Sequence, residues 1–264
     1  MTTVQSKDGT KIAFEKTGNG PALILVDGAL CYRAFGPTPK LVPLLADRFT
    51  VYTYDRRGRG ESGNADKYEV QREVDDLNAV IEAAGGSASV LGFSSGAALA
   101  LEAANRGSKI ERLALYEPPF IVDDSRTPTP SDFVPKLNEM LAEDRRGDAV
   151  RHFLKLVGMP VIMVHAMRFF PGWRKLKGVA HTLPNDLAIV GENQQGKALP
   201  TNRWLSANVP TIVMEGGKSP VWMRNSMKAL ADILPNAELK TLEGQTHMVK
   251  PTVLAPVLKT MFAN

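Results

Sequence analysis

Gly92-Phe93-Ser94-Ser95-Gly96 is the stretch of this chain best suited to chemistry. A serine flanked two positions away on either side by glycine fits a nucleophile on a tight strand-to-helix corner. Strand and helix nearly touch there, and a Cβ has no room. Val90-Leu91 before it reads as a buried strand. Ala97, Ala98, Ala100, Ala103 and Ala104 after it read as a helix slim enough to lie close on a sheet. Such a helix turns its N–H-rich start toward a developing oxyanion. A plain Gly/Ser turn would share the five letters, so the strand–turn–helix context decides for the nucleophile. A serine hydroxyl also needs a base, most often an imidazole. The chain has four histidines. His152, His165 and His181 fall on expected helices, where a lone histidine is ordinarily a surface or satisfied core residue. His247 lies just past the last expected strand, behind Gly244, and is the candidate base.

These residues need a scaffold, and the 264-residue chain is long enough for one large α/β domain or a core with an insertion. Its 44% hydrophobic and 23% charged content is ordinary for a globular protein. The single cysteine, Cys31, excludes an internal disulfide and a Cys-rich metal motif, in keeping with a reducing, cytoplasmic location. The N-terminus has no apolar run of a signal peptide, and no stretch is long enough to span a membrane. A net charge of +4 and a pI near 9.1 raise the question of nucleic acid. The basic residues are scattered without interleaved aromatics, so neither a nucleic-acid nor a membrane partner is expected. No metal-ligand cluster, phosphate loop or dinucleotide fingerprint appears, and no cofactor is expected.

Along the chain, Val4-Gln5 and Lys11 to Glu15 suggest a hairpin turned at Asp8-Gly9. Ala22 to Val26 is a continuous apolar run, as in a parallel strand covered on both faces, and it ends in Asp27-Gly28-Ala29. A helix is expected from Leu41 to Ala46, after the breakers Pro37 and Pro39. Phe49 to Tyr54 is the next strand, leading into Asp55-Arg56-Arg57-Gly58-Arg59-Gly60-Glu61-Ser62-Gly63. Val70 to Ala84 has helical spacing and stops at Gly85-Gly86. After the serine corner comes a strand from Leu113 to Glu117. From about Phe120 to Asn208 there are only helical patches: Asp132 to Glu143 with Ser131 as its cap, Asp148 to Val157, Pro160 to Phe170, Trp173 to Ala180 and Pro184 to Val190. Alternation then resumes with strands Thr211 to Glu215 and Glu238 to Leu242 and helices Val221 to Leu234 and Val253 to Phe262. The expectation is an α/β protein with a mostly parallel, doubly wound sheet. Residues 1–119 and 209–264 would form its core, and residues 120–208 a helical cap.

With the serine corner, this order resembles the α/β-hydrolase family. The resemblance rests on four parts in sequence: Asp27-Gly28-Ala29, the run from Asp55 to Ser62, Ser94 at the corner, and Gly244-Gln245-Thr246-His247. It covers nearly the whole chain outside the helical segment. The family's chain order, with histidine last, supports His247 as the base. The family usually takes its acid from the loop after the penultimate strand. Here that loop reads Glu215-Gly216-Gly217-Lys218-Ser219-Pro220, and Ser219 holds the acid's place. Glu117, at the end of the strand after the nucleophile helix, is the best substitute, because certain haloalkane dehalogenases and the zearalenone lactonases draw their acid from that place. Glu215, Asp123 and Asp124 remain as alternatives. The lactonase resemblance extends to Asp-Gly in the oxyanion loop and Ser-Ser-Gly-Ala at the corner.

An oxyanion hole needs two backbone donors, and Ser95 and Ala29 are the candidates. Asp27 is expected to point away and bind loop backbone, as turn aspartates do. Arg56, Arg57 and Arg59 resemble a phosphate site, but in this family the place belongs to a structural turn. Cys31 is expected to be a small pocket residue. Met159, Met163, Met167, Phe169, Phe170 and Trp173 should be mostly core, with some facing Ser94. The implied activity is a serine hydrolase that cleaves a carboxylic ester or lactone of a small apolar molecule through an acyl-enzyme. Carbon–carbon bond hydrolysis or perhydrolysis would use the same residues. A ligand receptor on the same fold is the alternative of a different class.

Overall fold

Successive strand residues face opposite sides of a sheet, so strands apolar at every position need helices on both faces. The computed structural model describes residues 2–65 and 67–262. Its first half runs β1 (Thr2–Gln5), β2 (Lys11–Thr17), β3 (Ala22–Val26), α1 (Thr38–Leu45), β4 (Thr50–Tyr54), α2 (Val70–Ala83), β5 (Ala88–Phe93), α3 (Ser95–Asn105) and β6 (Ile110–Tyr116). Five α-helices follow with no strand among the described residues: α4 (Phe133–Ala142), α5 (Arg146–Leu156), α6 (Val161–Ala166), α7 (Trp173–Val179) and α8 (Leu183–Val190). Then come β7 (Thr211–Gly216), α9 (Val221–Ile233), β8 (Ala237–Leu242) and α10 (Pro251–Phe262). The sheet order is β1-β2-β4-β3-β5-β6-β7-β8. The β1–β2 and β2–β4 pairs are antiparallel and the rest parallel, as expected of the doubly wound α/β class.

The two faces can be read residue by residue. Ile24 and Val26 of β3 pack with Val74 and Leu77 of α2, the alanines of α3, and Met227 and Leu230 of α9. Their neighbours Leu23 and Leu25 face the other way, onto Leu41 and Leu45 of α1 and Leu254 and Leu258 of α10. Each such side chain contributes roughly 1.5–3 kcal/mol on full burial. Several helix starts differ from expectation by one to three residues, α1 and α4 among them. Helix α1 begins at Thr38, with Pro37 as N-cap and Pro39 inside the first turn, because a proline there removes only an N–H that the helix leaves unpaired. Asp132, not Ser131, is the N-cap of α4, and it makes no side-chain cap bond.

Register carries the site. Strand β3 lies between β4 and β5, so the loops leaving β3 and β5 diverge at a switch point, where open α/β sheets bind ligands. Val26 pairs with Gly92, which sets Asp27-Gly28 beside Phe93-Ser94. Phe93 pairs with Tyr116, which sets Ser94 beside Glu117. Between β6 and β7 the chain packs in two ways. Phe120, Ile189, Val190, Leu199, Trp204 and Ala207 join the cluster around α2 and α3. Phe133, Leu137, Val150, Val164, Leu176 and Leu183 form a cluster of their own around Leu30, just beyond β3.

Candidate active site

Ser94 sits at φ +53°, in the left-handed region, as the N-cap of α3. Its N–H donates to Tyr116 O at 2.8 Å. The flanking glycines have the steric cause inferred above. A Cβ on Gly92 would lie 2.4 Å from Ala97 Cα, and one on Gly96 would lie 2.3 Å from Val26 O. Gly28 is also pressed against the corner, where a Cβ would come within 3.0 Å of Ser94 Cβ.

Glu117 follows β6 directly, also at positive φ (+47°), and is wholly buried. Its Oε2 lies 2.7 Å from His247 Nδ1, and its Oε1 accepts the Gly216 N–H at 2.7 Å. An ionised carboxylate only accepts hydrogen bonds, so in this pair Nδ1 carries the proton and Nε2 keeps the lone pair. The His247 loop is pinned by Tyr116, whose hydroxyl donates to Thr246 O at 2.5 Å. It also packs onto Gly216, where a Cβ would meet Gln245 O at 2.6 Å. The His247 side chain is 41% exposed. No hydrogen bond joins Ser94 Oγ to His247 among the described residues; such contacts commonly tighten only when substrate binds.

The alternative acids are placed elsewhere. Glu215 is buried, Thr241 Oγ1 donates to its Oε1 at 2.9 Å, its Oε2 has no partner, and burial raises its pKa. Asp123 accepts from Asn225 Nδ2 at 2.7 Å and from Ser125, bonds that lower its pKa. Asp124 is exposed. None of the three is hydrogen-bonded to His247. Ser219 is buried with its Oγ unpartnered, and its N–H donates to Gly216 O at 2.9 Å.

The two candidate oxyanion donors are the N–H groups of Ser95, next to Ser94, and of Ala29, next to Gly28, which is pressed against Ser94; neither donates to a protein acceptor among the described residues. The arginines of the following turn are buried among carboxylates, which leaves no room for a phosphate. Arg57 binds Asp76 twice at 2.7 Å and Asp8 at 3.0 Å. Arg56 binds Glu73 at 2.6 and 2.8 Å. Arg56 and Arg59 both reach Asp186 on α8, at 2.7–2.8 Å. Asp186 was not legible in the sequence. It lies 127 positions from Arg59, and its only signal is a lone acid in an apolar helix.

Two further expectations need correction. Asp27 does point into buried structure, but its carboxylate takes the Thr38 hydroxyl rather than loop backbone, because the start of α1 folds over it. Of the six Met and aromatic residues, Met159, Met167 and Trp173 pack against the Leu30 cluster, whereas Met163, Phe169 and Phe170 are exposed. Helix α6 is too short to bury more than Val164. His152 stacks on Phe133 with ring centroids 4.1 Å apart, burial lowers the pKa of His152 and His181, and His165 is exposed. None of these three is hydrogen-bonded to Ser94 or Glu117. Burial and the nearby Asp27 push the Cys31 thiol up to about 12, which keeps it protonated and unfit as a nucleophile.

Asp27 leads to a pH prediction. Burial raises its carboxyl from 3.8 to about 6, against the Thr38 hydroxyl and the charges of Arg59 and Arg56. The folded state therefore holds this proton more tightly than the unfolded state. Its contribution to stability is complete below 3.8 and is lost as pH rises through about 6. Asparagine has no proton to lose. Asp27→Asn should gain about 2 kcal/mol on the native protein between about pH 4 and pH 7. Urea unfolding of both proteins at the two pH values measures this, and an offset that does not change with pH would contradict it.

Comparison with known proteins fits this geometry. The model described as "Alpha/beta hydrolase family" matches residues 20–256. The crystal structure of an alpha/beta hydrolase from Sphaerobacter thermophilus DSM 20745 is 52% identical over 99% of this chain and 100% of that chain, with a TM-score of 0.92. The enol-lactonase from Burkholderia xenovorans LB400 shares the fold at 19% identity, over 100% of both chains, with a TM-score of 0.70. A curated relative, "Probable oxidoreductase EphD" of Mycobacterium tuberculosis, is 39% identical over 83 residues, which are 30% of this chain and only 14% of that protein. The family match begins just before β3 and ends within α10, so it takes in every residue of the site. The chain belongs to the alpha/beta hydrolase family.

Proposed function

We propose that the protein is a cofactor-free serine hydrolase that cleaves a carboxylic ester or lactone of a small, fairly apolar molecule. The observation that carries this is the 2.7 Å contact between His247 Nδ1 and the buried Glu117, in register with the serine corner. In this reading Ser94 Oγ attacks the carbonyl carbon while its proton passes to His247 Nε2. The carbonyl oxygen becomes an oxyanion held by the N–H groups of Ala29 and Ser95. His247 then gives its proton to the leaving alkoxide, and the acyl group stays on Ser94. Water attacks the acyl-enzyme, His247 takes its proton, and the tetrahedral species collapses to acid and free serine. In a lactone the alkoxide remains tethered to the acyl chain. Glu117 holds the imidazole in the required tautomer throughout and stabilises its charged form.

With Glu117 as the acid, the resemblance to the zearalenone lactonases favours lactones within the substrate class. The receptor alternative draws its support from the missing acid at Ser219, and Glu117 takes over that place. A serine-directed fluorophosphonate probe, followed by a panel of aryl esters, lactones and 1,3-diketones, tests the proposal. Labelling together with ester or lactone turnover is the expected result. Absence of labelling favours the receptor, and turnover of diketones alone moves the assignment to carbon–carbon cleavage.

A further inference from the structure

Both N–H groups assigned to the oxyanion hole belong to peptide units whose other end is held. The chain has no cis peptide among the described residues, so the C=O and N–H of one unit point in opposite directions. Ser94 O accepts the N–H groups of Ala97 and Ala98, at 3.0 and 3.2 Å, which turns the Ser95 N–H back out of the helix start. Gly28 O accepts Arg59 Nη1 at 2.6 Å, which turns the Ala29 N–H the other way. Arg59 also holds Cys31 O at 3.1 Å, and Arg56 holds Asp27 O at 3.2 Å. Two arginines thus fix the carbonyls of the loop after β3.

Arg56 is held by Glu73 of α2, but the carboxylate that holds Arg59 and joins it to Arg56 comes from the helical segment. Asp186 of α8 is 2% exposed. Its Oδ1 accepts Arg56 Nη1 at 2.8 Å, Arg59 Nη2 at 2.8 Å and the Ser95 hydroxyl at 2.7 Å. Its Oδ2 accepts Arg59 Nη2 at 2.7 Å. One carboxylate therefore reaches both sides of the oxyanion hole: the Ser95 side chain directly, and the Gly28–Ala29 peptide through Arg59. The charges of Arg59 and Arg56 overcome burial and keep it ionised.

We propose that Asp186 is a positioning residue for the oxyanion hole, aiming the Ala29 and Ser95 N–H groups through Arg59, Arg56 and the Ser95 hydroxyl. The inference rests on the serine-hydrolase reading above. A hole donor acts only when aimed at the oxyanion of the transition state, so a loosened donor costs turnover and leaves ground-state binding nearly intact. A residue that served folding alone would change the amount of active protein and not the turnover of each active site.

The experiment compares native protein with Asp186→Asn and Ser95→Ala, counting active sites by fluorophosphonate titration to completion. Turnover is measured on an aryl ester, and affinity on an aryl trifluoromethyl ketone, whose adduct with serine places an oxyanion in the hole. In Asp186→Asn, kcat per titrated site should fall about 10- to 100-fold with KM within about twofold, and ketone affinity should fall in parallel. Ser95→Ala keeps its N–H and loses the hydroxyl's ties to Asp186 and, at 3.3 Å, to Arg56 Nη1; it should show the same pattern at a few-fold. If kcat per site and ketone affinity match the native protein in the variants that fold, the proposal is overturned. Should Asp186→Asn fail to fold, Ser95→Ala decides alone. A native protein that does not react with fluorophosphonate would instead refute the hydrolase reading, and that result is seen before any variant is compared.

Discussion

Ser94→Ala is expected to abolish fluorophosphonate labelling and to lower kcat for an aryl ester by about six orders of magnitude. The change removes one oxygen from a half-buried position and leaves the glycine contacts around the corner intact. Ser94 already holds φ +53° with a Cβ, so alanine inherits the same strain and stability should stay within about 1 kcal/mol of native. Thermal unfolding alongside the kinetics separates the two effects. Slow residual hydrolysis from the remaining backbone donors is consistent with the mechanism. Turnover within tenfold of the native protein would remove Ser94 as nucleophile.

Glu117→Gln should reduce kcat by about 10⁴-fold. An amide can still face His247 Nδ1, but it offers an N–H as readily as an oxygen and does not stabilise the imidazolium that forms during attack. It can also keep the Gly216 N–H satisfied through its oxygen, so the fold should survive. Glu215→Gln supplies the control. Glu215 binds Thr241 and does not reach His247, and this substitution should leave kcat within a few-fold of native. If Glu215→Gln were the crippling change and Glu117→Gln the mild one, the acid assignment would have to be exchanged.

Much of this site can be read in the sequence because local sterics dictate it. Gly92 and Gly96 announce the corner around Ser94, since no residue with a Cβ tolerates those backbone approaches. His247 stands out because the other three histidines fall on helices. Strand assignments hold for the same kind of reason: a run such as Ala22 to Val26 suits a position covered on both faces. Long-range partnerships are harder. The Arg56-Arg57-Arg59 turn shows that buried cations need acids, and Glu73 and Asp76 on α2 are near enough in sequence to be suspected. Asp186 is not, because nothing local records which helix docks on the turn. The exposure of Met163, Phe169 and Phe170 was hidden similarly: apolar composition does not reveal that α6 buries only one residue.

The arginine turn also bears on how the chain assembles. Arg56 and Arg57 find carboxylates within 20 positions, but among the described residues Arg59 meets its carboxylate only at Asp186. An arginine stripped of water before its counter-charge arrives is strongly unfavourable. During synthesis the strands from β1 to β6 emerge long before α8, and they can begin to pair. The crossing between β3 and β5 cannot dry out at that stage, because Arg59 must remain hydrated. Closure of that crossing therefore waits on a late, long-range event, the arrival of α8. Until then the growing chain carries a half-built sheet with its switch point open to water, the stage at which a chaperone has most to shield.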